Sequence, residues 1–71
     1  MTNTDLARTL RAHADALAAA GDNLFRVRAV RRAAATVQIH PVEVATHPEA
    51  IGRLGVGKSL ARRIAELASA A

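Results

Sequence analysis

The chain has 71 residues, enough for one small domain with a marginal core and too few for a catalytic cleft between two lobes. It contains no cysteine, which excludes disulfides and cysteine-based zinc sites. Ten basic residues, nine of them arginine, stand against six acidic ones and give a net charge of +4. Arginine presents a planar fork of donors that suits phosphate oxygens, so this balance favours nucleic acid over an anionic membrane or an acidic protein.

The apolar segments of the chain are short. The longest apolar run extends from Ala16 to Ala20, far below the roughly 20 residues that span a bilayer. No cationic lead into an apolar run resembles a signal peptide. We therefore expect a cytoplasmic protein, nucleoid-associated if its source is bacterial, with no membrane partner.

Every segment of the chain favours helix. Alanine, leucine and arginine dominate and no segment alternates with period two, which predicts an all-α fold: a compact four-helix domain over residues 1–71. The first helix is expected from Thr4 to Ala20, with Asn3 or Thr4 as N-cap and Gly21 as the residue that ends it. Its apolar stripe carries a histidine that we expect to be partly buried. The stripe consists of Leu6, Leu10, His13 and Leu17.

The second helix is expected to begin after Asn23, a good N-cap, and to run from Leu24 to about Val37. Its arginines either form a solvated face or contact phosphate, and the sequence favours neither interpretation over the other. The predicted buried face consists of Phe25, Ala29, Val30, Ala33 and Val37. The arginines are Arg26, Arg28, Arg31 and Arg32.

The second half of the chain predicts two further helices. Pro41 ends the second helix, and residues 42–45 can form one short extra turn. Thr46-His47-Pro48-Glu49 predicts a capping box that starts a short helix extending to Arg53. The last helix is expected from Lys58 to about Ala68, with an apolar face made of Leu60, Ile64 and Leu67.

The segment between the last two helices carries two glycines two residues apart. Gly52 to Ser59 matches the P-loop pattern G-x-x-x-x-G-K-[ST] letter for letter. A P-loop follows a buried strand, in a sheet that also carries an acid for Mg²⁺, whereas the residues before Gly52 start a helix. We therefore reject nucleotide hydrolysis.

The same glycines also fit a helix-hairpin-helix. A tight hairpin between two helices exposes backbone N–H groups at a helix N-terminus, which favours binding of an anion. Gly55 and Gly57 allow positive φ and close approach of a phosphodiester, because no Cβ stands in the way. Such a site contacts backbone phosphate and therefore does not read sequence.

Two segments resemble a known family. Asn23 to Ala34 resembles the second helix of the N-terminal domain of X-family DNA polymerases, the DNA polymerase beta-like enzymes. Gly55 to Ile64 resembles the helix-hairpin-helix of that domain. The spacing from Pro41 to the glycines agrees as well, so the resemblance covers nearly the whole chain. The chain differs where the family usually has Leu-Pro before the first glycine, because Arg53-Leu54 stands there.

The resemblance implies a domain that holds DNA by its backbone. It also implies a monovalent cation, Na⁺ or K⁺, that bridges the hairpin and a phosphate, and no required cofactor. The amides of Gly55, Gly57 and Ser59 would contact phosphate, and the carbonyls of Ile51, Arg53 and Val56 would hold the cation.

In the eukaryotic repair polymerases of this family, the domain also removes 5′-deoxyribose phosphate through a lysine Schiff base. That lysine aligns with Arg63, and arginine stays protonated and is no amine nucleophile. Two supporting lysines of the pocket become Ser59 and Arg26, and a tyrosine becomes Val30. Lys58, the chain's one lysine, lies beside an aligned position and on a different helix face. We therefore expect no enzymatic activity.

The favoured hypothesis is a non-enzymatic, sequence-independent DNA-binding module in DNA repair or replication, with no small-molecule substrate. With no Trp or Tyr and one Phe expected in the core, it lacks the stacking residues of single-strand binders. One alternative is a protein-interaction or dimerisation module without DNA contact; another is residual lyase activity through Lys58 or the N-terminal amine. The oligomeric state stays open, as does the question of whether the chain is the first domain of a longer polymerase. The predicted DNA-binding residues are Gly55, Val56, Gly57, Lys58, Ser59, Arg62 and Arg63, with Arg26, Arg28, Arg31 and Arg32 on the second helix.

Overall fold

The computed structural model describes residues 1–69, and every regular element within them is helical. This confirms the all-α, four-helix fold with one extra turn. Residues 70 and 71, the last two of the predicted domain, lie outside the described residues. No described helix is long and apolar enough to cross a bilayer. The elements are α1 (Asn3–Ala19), α2 (Leu24–Gln38), a 3₁₀ turn (Val44–Thr46), α3 (Pro48–Ile51) and α4 (Lys58–Ser69).

α1 begins slightly earlier than predicted, because Thr2 is its N-cap and neither Asn3 nor Thr4 is. The Thr2 hydroxyl accepts a hydrogen bond from the Asp5 amide (3.1 Å), and the Thr2 amide donates to the Asp5 carboxylate (3.4 Å). These two bonds form a capping box. Hydrogen bonding to the Thr2 side chain and then to its backbone holds the pKa of the Asp5 carboxyl below its ordinary value of 3.8.

The connection from α1 to α2 has the predicted signals. Gly21 adopts a φ of 73° and ends α1. The Asp22 amide donates to the Leu17 carbonyl (3.0 Å), a bond of the Schellman motif that closes many helices. Asn23 caps α2, since its side-chain oxygen accepts the Phe25 amide (2.8 Å). The turn therefore holds α1 and α2 as a helical hairpin.

The core lies mainly between α1 and α2, which form the largest helix–helix interface. Many of its side chains are alanine or valine, which allow the two backbones to approach closely. α4 contributes the fully buried Ile64 and packs on α1, while its backbone contact with α2 is slight at most. The buried residues of α1 and α2 are Leu6, Ala7, Leu10, Ala14, Val27, Val30, Ala33, Ala34 and Val37.

Phe25 is not part of the core, contrary to the prediction, because 81% of its surface is exposed. The buried stripe of α2 is centred on Val27 and Val30. Phe25 lies two residues from Val27, which places it about 200° around the helix. Ala29, also predicted to be buried, is half-buried for the same reason. Phe25 therefore lies on a face of α2 that no other described helix covers.

Asn3 ties the start of α1 to the loop after α2. Its side-chain amide donates to the carbonyls of His40 (3.2 Å) and Val42 (2.7 Å). Its side-chain oxygen accepts the Val44 amide (2.9 Å). Val44 is fully buried and begins the 3₁₀ turn. Asn3 therefore fixes the point where the chain leaves the pair of helices α1 and α2.

α3 is shorter than predicted and lacks the predicted capping box. His47 is its N-cap, and no side chain caps the helix. Thr46 belongs to the 3₁₀ turn, where its hydroxyl donates to the Glu43 carbonyl (3.0 Å) instead. Pro48 occupies the start of the helix as predicted, a position that needs no backbone N–H donor.

Candidate nucleic-acid interface

The hairpin occupies residues 52–57, between α3 and α4. Leu54 is buried in the core cluster, and its amide donates to the Ile51 carbonyl (3.3 Å). This leucine stands where the resembled polymerase domain has proline, which would lack that N–H. The burial of Leu54 and this hydrogen bond stabilise the turn, which lacks the proline ring of the resembled domain.

The two glycines of the hairpin differ in conformation. Gly55 has a φ of 76°, which only glycine adopts without strain. Gly57 does not have positive φ, so the hairpin uses the conformational freedom of Gly55 but not that of Gly57. Its carbonyl accepts the Ala61 amide (2.9 Å), which makes Gly57 the N-cap of α4. A Cβ added at either glycine would meet no atom within 4 Å, so the surface outside both is open.

The backbone amides from Gly55 to Leu60 have no acceptor among residues 1–69. Those of Lys58, Ser59 and Leu60 belong to the first turn of α4, where helix geometry leaves N–H groups unpaired. The helix dipole places partial positive charge at the same point. This run of donors at an open turn is suited to binding an anionic oxygen.

A groove of about 220 Å³ lies beside the start of α4 and is lined by α1, α2 and α4. The structure brings Arg26, Val30, Ser59 and Arg63 together in it. These are the four positions that align with the lyase pocket of the resembled family. His13 lines the same groove and is half-buried, as predicted. Lys58 is not among the lining residues, so the groove presents guanidinium and hydroxyl groups and no lysine amine.

A second groove, of about 130 Å³, lies between the hairpin and α2. Gly55, Val56 and Gly57 form one side, and Arg32 and Thr36 line the other. Leu60 and Ala29 line both grooves, so the two lie next to each other along α2. The grooves lie between α2 and α4, whose mutual contact is far smaller than that between α1 and α2.

The arginines of α2 fall into different environments. Arg26 and Arg32 line the grooves, and Arg28 is exposed without lining either. Arg31 is turned toward α1, where it pairs with Asp15 (3.3 Å). Of the four predicted contact residues on α2, Arg31 is therefore placed away from the hairpin.

The acidic partners near the grooves hold their arginines weakly. Arg26 pairs with Asp22 (3.6 Å), and Arg63 pairs with Glu66 (3.3 Å). Exposed pairs of this kind contribute about 0–1 kcal/mol, so a phosphate can compete for either guanidinium. Arg32 and the predicted contact residues Lys58 and Arg62 have no acidic partner within residues 1–69; Lys58 and Arg62 are exposed on α4.

The predicted cation ligands are backbone carbonyls of α3 and the hairpin. The Ile51 carbonyl accepts the 3.3 Å hydrogen bond from Leu54, while those of Arg53 and Val56 accept none from the described residues. These oxygens keep lone pairs for a hard cation.

Some residues of the grooves were not predicted as contacts. Thr36 lies four residues from Arg32 and therefore on the same face of α2. Ala29 lies three residues before Arg32, and Phe25 four residues before Ala29, on that same stripe. The spacing from Arg32 could have identified this stripe, but the hydrophobicity of Phe25 and Ala29 favoured assignment to the core.

The structure also shows that the segment from Gly52 to Ser59, which matches the P-loop pattern, is not a P-loop. The residues before Gly52 form α3, and no strand occurs within residues 1–69. The glycines therefore lie between two helices, as the alternative interpretation required.

A family model described as a helix-hairpin-helix domain matches residues 1–70. The chain therefore belongs to the helix-hairpin-helix domain family, whose members in general bind nucleic acid. No match was found among curated proteins or among solved structures. The more specific resemblance to X-family DNA polymerases stays a prediction.

Proposed function

We propose that this domain binds DNA through its phosphate backbone, without sequence readout and without catalysis, in the repair or replication of cytoplasmic or nucleoid DNA. The observation that carries the proposal is the run of amides from Gly55 to Leu60 without a described acceptor, set between two arginine-bearing grooves. Amide donors and guanidinium groups both suit phosphate oxygens and do not distinguish bases.

In this proposal the hairpin amides bind one phosphate, and the two grooves contact the DNA strand on either side of that phosphate. Arg63 and Arg26 follow on one side of the hairpin, and Arg32 follows on the other. The hydroxyls of Ser59 and Thr36 add uncharged donors to the same surface. Arg28, Lys58 and Arg62 lie outside the grooves and add long-range attraction, which salt screens.

The proposal includes a bound Na⁺ or K⁺ at the carbonyls of Ile51, Arg53 and Val56. Support comes from the two carbonyls that accept no hydrogen bond from the described residues. Such an ion would neutralise part of the phosphate charge beside the hairpin amides.

The absence of catalysis is argued from the groove that aligns with the lyase pocket. Schiff-base chemistry needs a neutral amine, and this groove contains Arg26 and Arg63 but not Lys58. We expect no covalent adduct when the protein is treated with borohydride in the presence of DNA carrying a 5′-deoxyribose phosphate. An adduct lost in Lys58→Ala or on N-terminal acetylation would overturn this part of the proposal.

The binding proposal is tested by titrating labelled DNA duplexes of unrelated sequence and following fluorescence anisotropy. Affinity should be the same for each sequence and should fall steeply with salt, because counterions are released from the phosphates. Gly57→Glu combined with Arg63→Glu should weaken binding by about a hundredfold or more, since it places two carboxylates against the bound phosphate. Replacing Na⁺ or K⁺ by tetramethylammonium at constant ionic strength should weaken it further if the carbonyls hold a cation.

Arg8→Glu is the matched control for Arg63→Glu. Both arginines are exposed helix residues in i,i+3 ion pairs, and both substitutions change the net charge equally. Arg8 lines neither groove, so its replacement should weaken binding only through the total charge. Equal losses for Arg8→Glu and Arg63→Glu, or no detectable binding at low salt, would contradict the proposal.

A further inference from the structure

His13 lines the larger groove from α1, opposite the arginines that line it from α2 and α4. We infer that His13 is a further phosphate-binding residue of this groove and that it binds in its protonated form. The domain then takes up a proton when it binds DNA, and its DNA affinity rises as the pH falls. The inference rests on the proposed function and adds regulation by pH to it.

The ring nitrogens of His13 are available to a ligand. Neither has a hydrogen-bond partner within residues 1–69, whereas Nδ1 of His40 and Nδ1 of His47 lie 3.2 and 3.0 Å from carbonyl oxygens of the loop after α2. Among the described residues that are not exposed, no side-chain nitrogen is both shielded from solvent and unpaired. Since His13 is half-buried, both of its nitrogens therefore reach solvent, and a phosphate oxygen can accept a hydrogen bond from the ring.

The charged residues that line the groove with His13 are both positive. They are Arg26 from α2 and Arg63 from α4. Their carboxylate partners, Asp22 and Glu66, do not line the groove. A third positive charge beside two guanidinium groups is unfavourable in the free protein, but a phosphate among them supplies the anion that stabilises an imidazolium.

The charged neighbours of His13 on α1 are bonded to other side chains. Arg11 donates to Gln38 of α2 (3.0 Å), and Asp15 accepts from Arg31 of α2 (3.3 Å). The residues three and four positions from His13, which share its side of α1, are uncharged. They are Thr9, Leu10, Ala16 and Leu17. The charge around the ring is therefore set by the two groove arginines and by the ligand.

The direction of the pH dependence follows from proton linkage. A histidine changes its charge between about pH 5 and 8. Because phosphate favours the imidazolium, the complex holds more protons than the free chain, and the association constant increases as the pH falls. Affinity should rise about tenfold from about pH 7.5 to about pH 5.5, the effect of one additional charge-assisted hydrogen bond.

The test compares the wild-type chain with His13→Gln by titration of labelled duplex DNA at about pH 7.5 and about pH 5.5. The DNA carries no terminal phosphate, because phosphomonoesters titrate in the same range. The wild type should show the tenfold rise, and His13→Gln should bind equally at both pH values. His40→Gln and His47→Gln are the matched controls, since neither residue lines a groove, and both should keep the rise.

Two further measurements do not depend on how well His13→Gln folds. Calorimetry of the wild type in two buffers of different ionisation enthalpy should detect proton uptake on DNA binding at about pH 6.5. NMR of the wild-type imidazoles, assigned with the two control variants, should show that DNA keeps His13 protonated to higher pH. Circular dichroism verifies that each variant is folded.

The outcomes separate this inference from the proposed function. If the wild-type chain binds no DNA at either pH, the proposed function fails and the inference fails with it. If it binds equally at both pH values, or if folded His13→Gln keeps the full rise, the inference alone fails. If the rise is lost in His40→Gln or His47→Gln instead, another histidine takes up the proton, which also overturns the inference.

Discussion

Gly55 and Gly57 perform different tasks although they are two residues apart. Gly55 needs its φ of 76°, so its role is conformational. Gly57 has no such requirement and no steric contact, and it caps α4 in front of the amides that have no acceptor within residues 1–69. One glycine shapes the hairpin, and the other leaves open the space in which a phosphate would lie.

Replacing each glycine by serine should separate these tasks. Gly55→Ser places a side chain in the left-handed region and should lower the free energy of unfolding by about 1–2 kcal/mol. Gly57→Ser should leave it unchanged or raise it, because serine is a preferred N-cap residue. Urea denaturation of both variants measures this difference.

DNA affinity should respond in a different way in the Gly57→Ser variant. The serine hydroxyl would accept a hydrogen bond from the amides of the first turn of α4, in competition with phosphate. We expect about a tenfold loss of affinity, equal to one charge-assisted hydrogen bond, in a fully folded protein. Wild-type affinity in Gly57→Ser would show that these amides do not bind DNA.

At the scale of elements, the side chain of Asn3 makes the hydrogen bonds that join α1 to the loop after α2. Asn3→Ala removes three hydrogen bonds and should lower the free energy of unfolding by about 2 kcal/mol. For a domain of this size the melting temperature should fall by about 10 °C, measured by circular dichroism.

Thr4→Ala is the control for Asn3→Ala. Thr4 is the next residue, is exposed, and accepts one side-chain hydrogen bond from Gln38 (3.2 Å). Surface changes of this kind cost about 0.5 kcal/mol or less. Equal melting temperatures for the two variants would mean that the tie through Asn3 contributes nothing to stability.

The sequence predicted the existence and order of every helix, because long segments rich in alanine, leucine and arginine favour one structure. It was wrong about the caps of α1 and α3. Asn3 has a good capping side chain, yet that side chain bonds to residues 40–44 instead. Thr46 is likewise engaged within the 3₁₀ turn. Long-range contacts thus decide between local alternatives that sequence spacing leaves equivalent.

The site was predictable in part for a similar reason. The hairpin glycines and most of the arginines of the site could be predicted from the sequence, because the conformational freedom of glycine and the charge of arginine do not depend on the fold. The way α2 packs against α1 and the hairpin is a property of the tertiary structure, and it determines that Arg32 lines the groove beside the hairpin while Arg31 pairs with Asp15 on α1. Phe25 was assigned to the core by its hydrophobicity, although its position on the helix is set by Val27 and Val30.

At the scale of the whole molecule, acidic and basic residues are distributed unequally. Asp5 and Asp15 lie on α1, away from the grooves, and pair with Arg8 and Arg31. The face between the hairpin, α2 and α4 keeps arginines that are unpaired or weakly paired within residues 1–69. A net charge of only +4 can therefore present a strongly positive face.

The connection between α1 and α2 also has a consequence for the order of folding. These helices are joined by the four residues 20–23, so their large interface closes short loops at a low entropic cost. Leu54 and Ile64 reach the same core only after a much longer stretch of chain is ordered. We expect α1 and α2 to assemble first and the hairpin to dock last. The hairpin is then also the first part to open, and a bound DNA strand would slow its opening.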